Sequence, residues 1–157
     1  MKKLMMIACM MLFSTAMFAE KGDMWLGGGF SYGLSSYYKN FGIGVKGQYE
    51  LLEKFRADAQ VNYFFRHEDV AFFDINLNAQ YLFGEDDFHY YPLAGFAFLG
   101  YSENAVGFPS EFKFGYNLGA GAEFNFSDKV KVYGELKYQI VSGWGRIIPS
   151  IGVMFAL

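Results

Sequence analysis

The sequence lacks the residues that would build a metal centre, a disulfide framework or a nucleic-acid surface. It holds one cysteine, Cys9, and two histidines, His67 and His89. Zinc sites draw three or four ligands from such side chains, so no metal and no cofactor are expected, and one cysteine makes no internal disulfide. Charged residues are 18% of the chain, against about 25% in typical domains. The formal charge is −3, and without Lys2 and Lys3 the balance is 11 basic against 16 acidic, a net of −5. Nucleic-acid binding leaves a basic footprint, so it is excluded as a function. After the first nineteen residues no apolar run approaches the roughly 18 residues that a spanning helix requires.

What is present is aromatic and glycine-rich: 21% aromatic residues and 19 glycines. The stretch Glu111–Phe126, EFKFGYNLGAGAEFNF, shows how they are used. Phe112, Phe114, Tyr116, Leu118, Ala120, Ala122, Phe124 and Phe126 fall on one parity. Glu111, Lys113, Gly115, Asn117, Gly119, Gly121, Glu123 and Asn125 fall on the other. Alternation of this kind is the signature of a strand with one apolar and one polar face. Its length exceeds the usual five or six residues of a soluble strand and suits a tilted span of a membrane barrel, where roughly 9–11 residues cross the hydrocarbon.

The pattern recurs along the chain. It predicts strands over Met24–Leu34, Phe41–Leu51, Phe55–Arg66, Phe72–Phe83, His89–Tyr101, Lys129–Val141 and Ile147–Leu157. His89–Tyr101 is apolar on both parities; Gly95 is assigned inward, and Ala94, Phe96 and Phe98 outward, because the glycines of other strands fall on the polar side. Short turns (Leu52–Lys54, Gly84–Asp87, Ser127–Asp128) alternate with longer connections, of which Ser102–Ser110 is the longest and Ser142–Arg146 is a glycine-rich loop holding Trp144. Outer-membrane barrels show this alternation of short periplasmic turns and longer external loops. Outward aromatics gather at both rims: Tyr49, Phe55, Tyr81, Phe83, Phe124 and Phe126 at the short-turn end, and Tyr32, Phe41, Tyr63, Phe65, Phe73, Phe112, Phe114 and Tyr138 at the other. These match interfacial girdles.

At the front, Lys2 and Lys3 precede the apolar run LMMIACMMLF and then small residues, with Ala19 before Glu20. This is the layout of a secretory signal peptide. The expected organisation is a cleaved signal over residues 1–19 and a barrel over 20–157, with a cut after Ala16 as the second choice of site.

The fold class that follows is all-β: an eight-stranded, antiparallel, up-and-down transmembrane β-barrel with an interior filled by polar side chains. No water in hydrocarbon can satisfy a strand edge, and closure removes both edges. The inward charged set is Lys46, Glu50, Arg56, Asp58, Arg66, Asp74, Glu111, Lys113, Glu123, Lys131, Glu135 and Lys137. Opposite charges balance in it, and an eight-stranded bore is just wide enough to be filled by side chains. A solid polar core accounts for the set more simply than an ion or proton path.

The signal peptide, the alternating strands and the closing IIPSIGVMFAL resemble the small eight-stranded outer-membrane barrels of the OmpX/OmpA-like outer membrane protein β-barrel domain family, especially those of Bacteroidetes-type bacteria. The resemblance covers the whole mature chain. It implies residence in the bacterial outer membrane as a monomer, contact with outer-membrane lipids and lipopolysaccharide, and delivery by the barrel-assembly machinery through the C-terminal strand. Family members usually end on an aromatic residue; here Phe155 is third from the end and Leu157 is last.

Rim residues offer the alternative functions. His67-Glu68-Asp69 and the loop serines Ser102, Ser110 and Ser142 fall at the external rim, where some outer-membrane barrels modify lipid A with a Ser and a His; a hydroxyl beside an imidazole and a carboxylate is a nucleophile constellation. No local motif surrounds them, so His67 reads first as a solvated loop residue and no catalytic residue is assigned. His89 falls at the opposite rim, away from an external lipid substrate. Gly27-Gly28-Gly29 lacks the Lys-Ser/Thr and helix of a phosphate loop. The expected function is a structural or surface-contact barrel without chemistry, with a lipid A-modifying enzyme, a narrow pore and a soluble lipocalin-like barrel as the alternatives.

Overall fold

The computed structural model describes residues 2, 3, 7, 24–36, 39–52, 54–67, 70–102 and 112–157. Apart from Lys2, Lys3 and Ile7, the proposed signal peptide lies outside the described residues, as do Glu68, Asp69, Ser110 and Glu111.

Eight strands follow one another: β1 Met24–Leu34, β2 Lys39–Glu50, β3 Phe55–His67, β4 Val70–Tyr81, β5 Phe88–Ser102, β6 Phe112–Asn125, β7 Val130–Val141 and β8 Trp144–Ala156. Each pairs antiparallel with its neighbour, and β1 pairs with β8 to close the barrel. Long alternating strands demand this closure, because a lipid-facing edge would leave a row of N–H and C=O groups without water. The ends of the chain meet at one rim, where the Leu157 amide donates to the Met24 carbonyl at 2.9 Å.

The strand bounds differ from the sequence reading by a residue or two, with one larger correction. Ser142–Arg146 is not a loop. Ser142 (φ 50°) and Gly143 (φ 78°) alone form the turn, and β8 begins at Trp144. Two consecutive positive-φ residues match the twist of a two-residue hairpin, so the strands continue to the turn itself. β4 also ends earlier than expected, and Phe83 pairs with Tyr90 as an isolated bridge.

Faces follow parity. Phe114 and Leu118 are 48% and 65% exposed, whereas Glu123 on the other parity is 4% exposed. In β5, Tyr91, Leu93, Ala97 and Leu99 are buried, and Phe96 and Phe98 are exposed. The outward rows form an apolar wall with aromatic clusters at both rims. At the short-turn rim Phe55 meets Tyr81, Tyr81 meets Phe83, and Phe124 meets Phe126. At the external rim Phe41 stacks on Phe30 and Phe65, and Phe73 meets Phe112 edge-on. Among the described strand side chains only Lys39 is charged on the outward rows, beyond Phe41 at the external end.

Candidate functional site

The inward rows converge on a lumen that holds large buried side chains, among them Lys46, Arg56, Tyr91 and Lys137. Its glycines make room for larger neighbours. A Cβ on Gly121 would lie 2.6 Å from the Tyr91 hydroxyl, and one on Gly152 would lie 2.6 Å from that of Tyr133. The narrow bore is filled because a bare backbone on one strand leaves room for the ring of its paired residue on the next.

Three polar clusters occupy the lumen. Nearest the short-turn rim, Arg56 on β3 donates from both terminal nitrogens to Glu123 on β6, at 2.9 Å each, and from Nε to Gln80 at 2.7 Å. Lys131 approaches the same carboxylate at 3.4 Å. In the middle, Lys46 is bonded to Glu135 and lies 3.5 Å from Asp58. The Tyr91 hydroxyl donates to Glu135 at 2.8 Å, and Lys137 donates to Gln60 at 3.1 Å. Toward the external rim, Asp74 accepts from Asn62 and Asn76, each at 2.8 Å, and from Arg146 at 2.7 Å. Arg146 Nε donates to Gln139 at 2.7 Å, which donates in turn to Asn76 at 3.0 Å. An unpaired ion buried here would cost several kcal/mol; each of these carboxylates lies beside at least one cation, and the bidentate Arg56–Glu123 geometry is the strongest such arrangement.

The interior is not polar throughout, contrary to the sequence reading. Phe64, Phe72, Leu99, Val141 and Ile148 form a buried apolar layer at the external end, with Trp144 packed against it. Arg146 lies 4.5 Å from the Phe64 ring centroid and 5.5 Å from that of Phe72. Trp25, Tyr133 and Met154 form a second layer at the short-turn end, where the Lys131 ammonium stands 4.3 Å from the Trp25 ring. The physical reason is access: a barrel mouth borders water, and apolar side chains packed there limit its reach to the ion pairs.

Of the residues expected in the lumen network, Lys46, Arg56, Asp58, Asp74, Glu123, Glu135 and Lys137 are buried, as is Lys131. Glu50 is half-buried at the short-turn mouth, and Lys113 is exposed at the external one. Arg146 was missed, because Gly143 and Gly145 just before it read as loop; extending the parity of Ile147 back by one residue would have assigned it inward. The amides Asn76, Asn117 and Gln139 and the hydroxyl of Tyr91 belong to the same network. Of the rim candidates, His67 ends β3 opposite Val70, and Ser102 ends β5 opposite Ala71. Ser142 is exposed in its turn.

Comparison with known proteins agrees with this geometry. The family model described as "Outer membrane protein beta-barrel domain" matches residues 5–145. No curated protein matches the chain in sequence. Among solved structures, Neisserial surface protein A is similar at a TM-score of 0.70 and 16% identity, over 85% of this chain and 96% of that one. The N-terminal β-barrel domain of Pseudomonas aeruginosa OprF is similar at 0.66 and 20% identity, over 87% and 100%. Ail, the attachment invasion locus protein of Yersinia pestis, is similar at 0.57 and 18% identity, over 87% and 97%.

Proposed function

This chain belongs to the outer membrane protein β-barrel domain family, and we propose that it serves in the bacterial outer membrane as a solid structural barrel that presents a surface and carries out no chemistry. The observation that supports this reading is the filled lumen. Lys46, Arg56 and Asp74 are fully buried, their charges are taken up by partners inside the wall, and apolar clusters pack toward the two ends of the lumen. A water-filled channel needs a continuous polar lining open to both sides; this bore has its cations locked in place, and a bound ion would have to displace them at the cost of unpaired buried charge.

The same reading assigns residues 1–19 to a cleaved export signal and the aromatic wall to contact with outer-membrane lipids and lipopolysaccharide. Lys39, exposed beyond Phe41, is suited to the phosphates of an outer-leaflet headgroup, since a lysine stem lies along apolar surface while its ammonium reaches the interface. Strand β8 is the segment offered to the barrel-assembly machinery. The protein functions as a monomer.

Planar-bilayer recording of the purified protein tests the solid-barrel reading: no conductance steps are expected, and reproducible steps would replace it with a pore. The second reading, an enzyme acting on lipid A with His67 as base, is favoured by the backbone positions of His67 and Ser102 at the external ends of β3 and β5 and by similarity to the outer membrane enzyme PagL at a TM-score of 0.51 and 10% identity. Lipid A mass spectra from cells with and without the gene decide it; an unchanged profile removes the enzyme.

A further inference from the structure

The strands that close the barrel are imperfectly joined. Partners on β1 and β8 run in one register from Trp25–Ala156 to Ser31–Ser150 and resume, unshifted, at Leu34–Ile147. Tyr32 and Gly33 are left without pairing to Pro149 and Ile148. The interruption lies inside the wall, with paired residues on both sides.

Its cause can be read from the hydrogen-bond directions. The Leu157 amide donates to β1 at Met24, and the Ala156 amide donates away from β1, to Lys129, each at 2.9 Å. Amides alternate sides along a strand, so every odd position of β8 faces β1, position 149 included. Proline has no N–H, and Pro149 therefore offers no donor to the Tyr32 carbonyl that faces it. Pro92 shows the same rule on the β4–β5 seam. The Tyr90 amide donates to Phe83 on the β4 side, so Pro92 also faces β4, and the β4–β5 pairing skips Tyr81–Pro92 and Leu82–Tyr91 and resumes in the same register at Phe83–Tyr90. That interruption falls at Tyr81, the last residue of β4, beside the short-turn rim. Pro149 is in the outer half of a closed wall, where every strand is central and proline is ordinarily excluded.

We propose that this seam is a lateral window: β1 and β8 part locally between the Ser31–Ser150 and Leu34–Ile147 pairs. Its inner edge is pinned by the buried Ser31 and Ser150 hydroxyls, 2.8 Å apart. Gly33 faces the lumen without a side chain, and the Arg146 guanidinium stands directly behind it, 3.2 Å from where a Gly33 Cβ would be. Parting of the strands joins the outer-leaflet hydrocarbon to that buried cation.

Amide hydrogen exchange by NMR in lipid nanodiscs tests the window. The Tyr32 amide faces β8. The Tyr63 amide, outward on β3, faces β2 at an uninterrupted seam and serves as the reference. Tyr32 is expected to exchange roughly tenfold faster than Tyr63, as amides freed by local opening do, and Pro149→Val is expected to bring it to the Tyr63 rate by restoring the donor. Equal rates in the unaltered protein, or an undiminished ratio in Pro149→Val, overturn the proposal. Should that variant fail to insert, the S31C/S150C double variant gives the same readout. The pair sits at a non-hydrogen-bonded position, where the Cα separation of about 4.5 Å suits a disulfide, and oxidation is expected to slow Tyr32; no slowing overturns the proposal as well.

Discussion

Arg56 and Glu123 meet across the lumen through two parallel hydrogen bonds of 2.9 Å. They stand on β3 and β6, three strands apart around a ring of eight, so the pair ties distant parts of the wall to each other. Removing Glu123 leaves the buried Arg56 without its carboxylate, and removing Arg56 leaves Glu123 with only the more distant Lys131, at 3.4 Å. Arg56→Ala and Glu123→Ala are each expected to cost about 3–5 kcal/mol, while the double variant R56M/E123L costs far less than their sum. Urea unfolding in lipid vesicles reads both; additive losses would mean that the pair does not act as a unit.

The apolar layer at the external end makes a separate demand. Phe64 is fully buried there and carries the Arg146 guanidinium against its ring. Phe64→Ala is expected to lower stability by about 3–5 kcal/mol through cavity formation, and Phe64→Leu by much less. Equal losses for the two would show that shape, and not volume, decides at this position.

Gly121 is a packing position of the lumen. The Tyr91 ring fills the space that a side chain would take. Gly121→Val is expected to cost about 1–3 kcal/mol by overpacking, and Tyr91→Ala added to it should recover part of that loss. A double variant no better than the sum of its parts would separate the two residues.

The wall facing lipid is tested by Leu118, which is outward at mid-strand on β6. Leu118→Arg is expected to cost about 2–4 kcal/mol in a bilayer, the depth-dependent penalty for a cation on the lipid face, whereas Leu118→Ala changes stability little. The unaltered protein should also migrate faster on gels when unboiled and stay with the membrane after carbonate washing. A neutral Leu118→Arg together with release by carbonate would point to a soluble barrel.

The assignment of faces was legible in the residues because alternation belongs to a single strand: successive side chains point to opposite sides whatever the strand pairs with. Phe112 through Phe124 needed no partner to be read as one face, and the ambiguous β5 yielded to Gly95 alone. The turn after Val141 was misread because Gly143 and Gly145 resemble a loop, and only the pairing of Gln139 with Arg146 shows that the strands run on to the turn.

The amino-acid order by itself therefore determined eight strands, their greasy and polar sides, and a balanced charged interior, since all of these rest on local period and composition. Closure decided the rest. Arg56 finds Glu123 67 positions away and Arg146 finds Asp74 72 positions away, and the apolar caps collect Phe64, Phe72, Leu99, Val141 and Ile148 from five strands. Which inward side chains share a level depends on strand tilt and on the stagger of the ladders around the ring, and that stagger is a property of the closed sheet that no single strand contains.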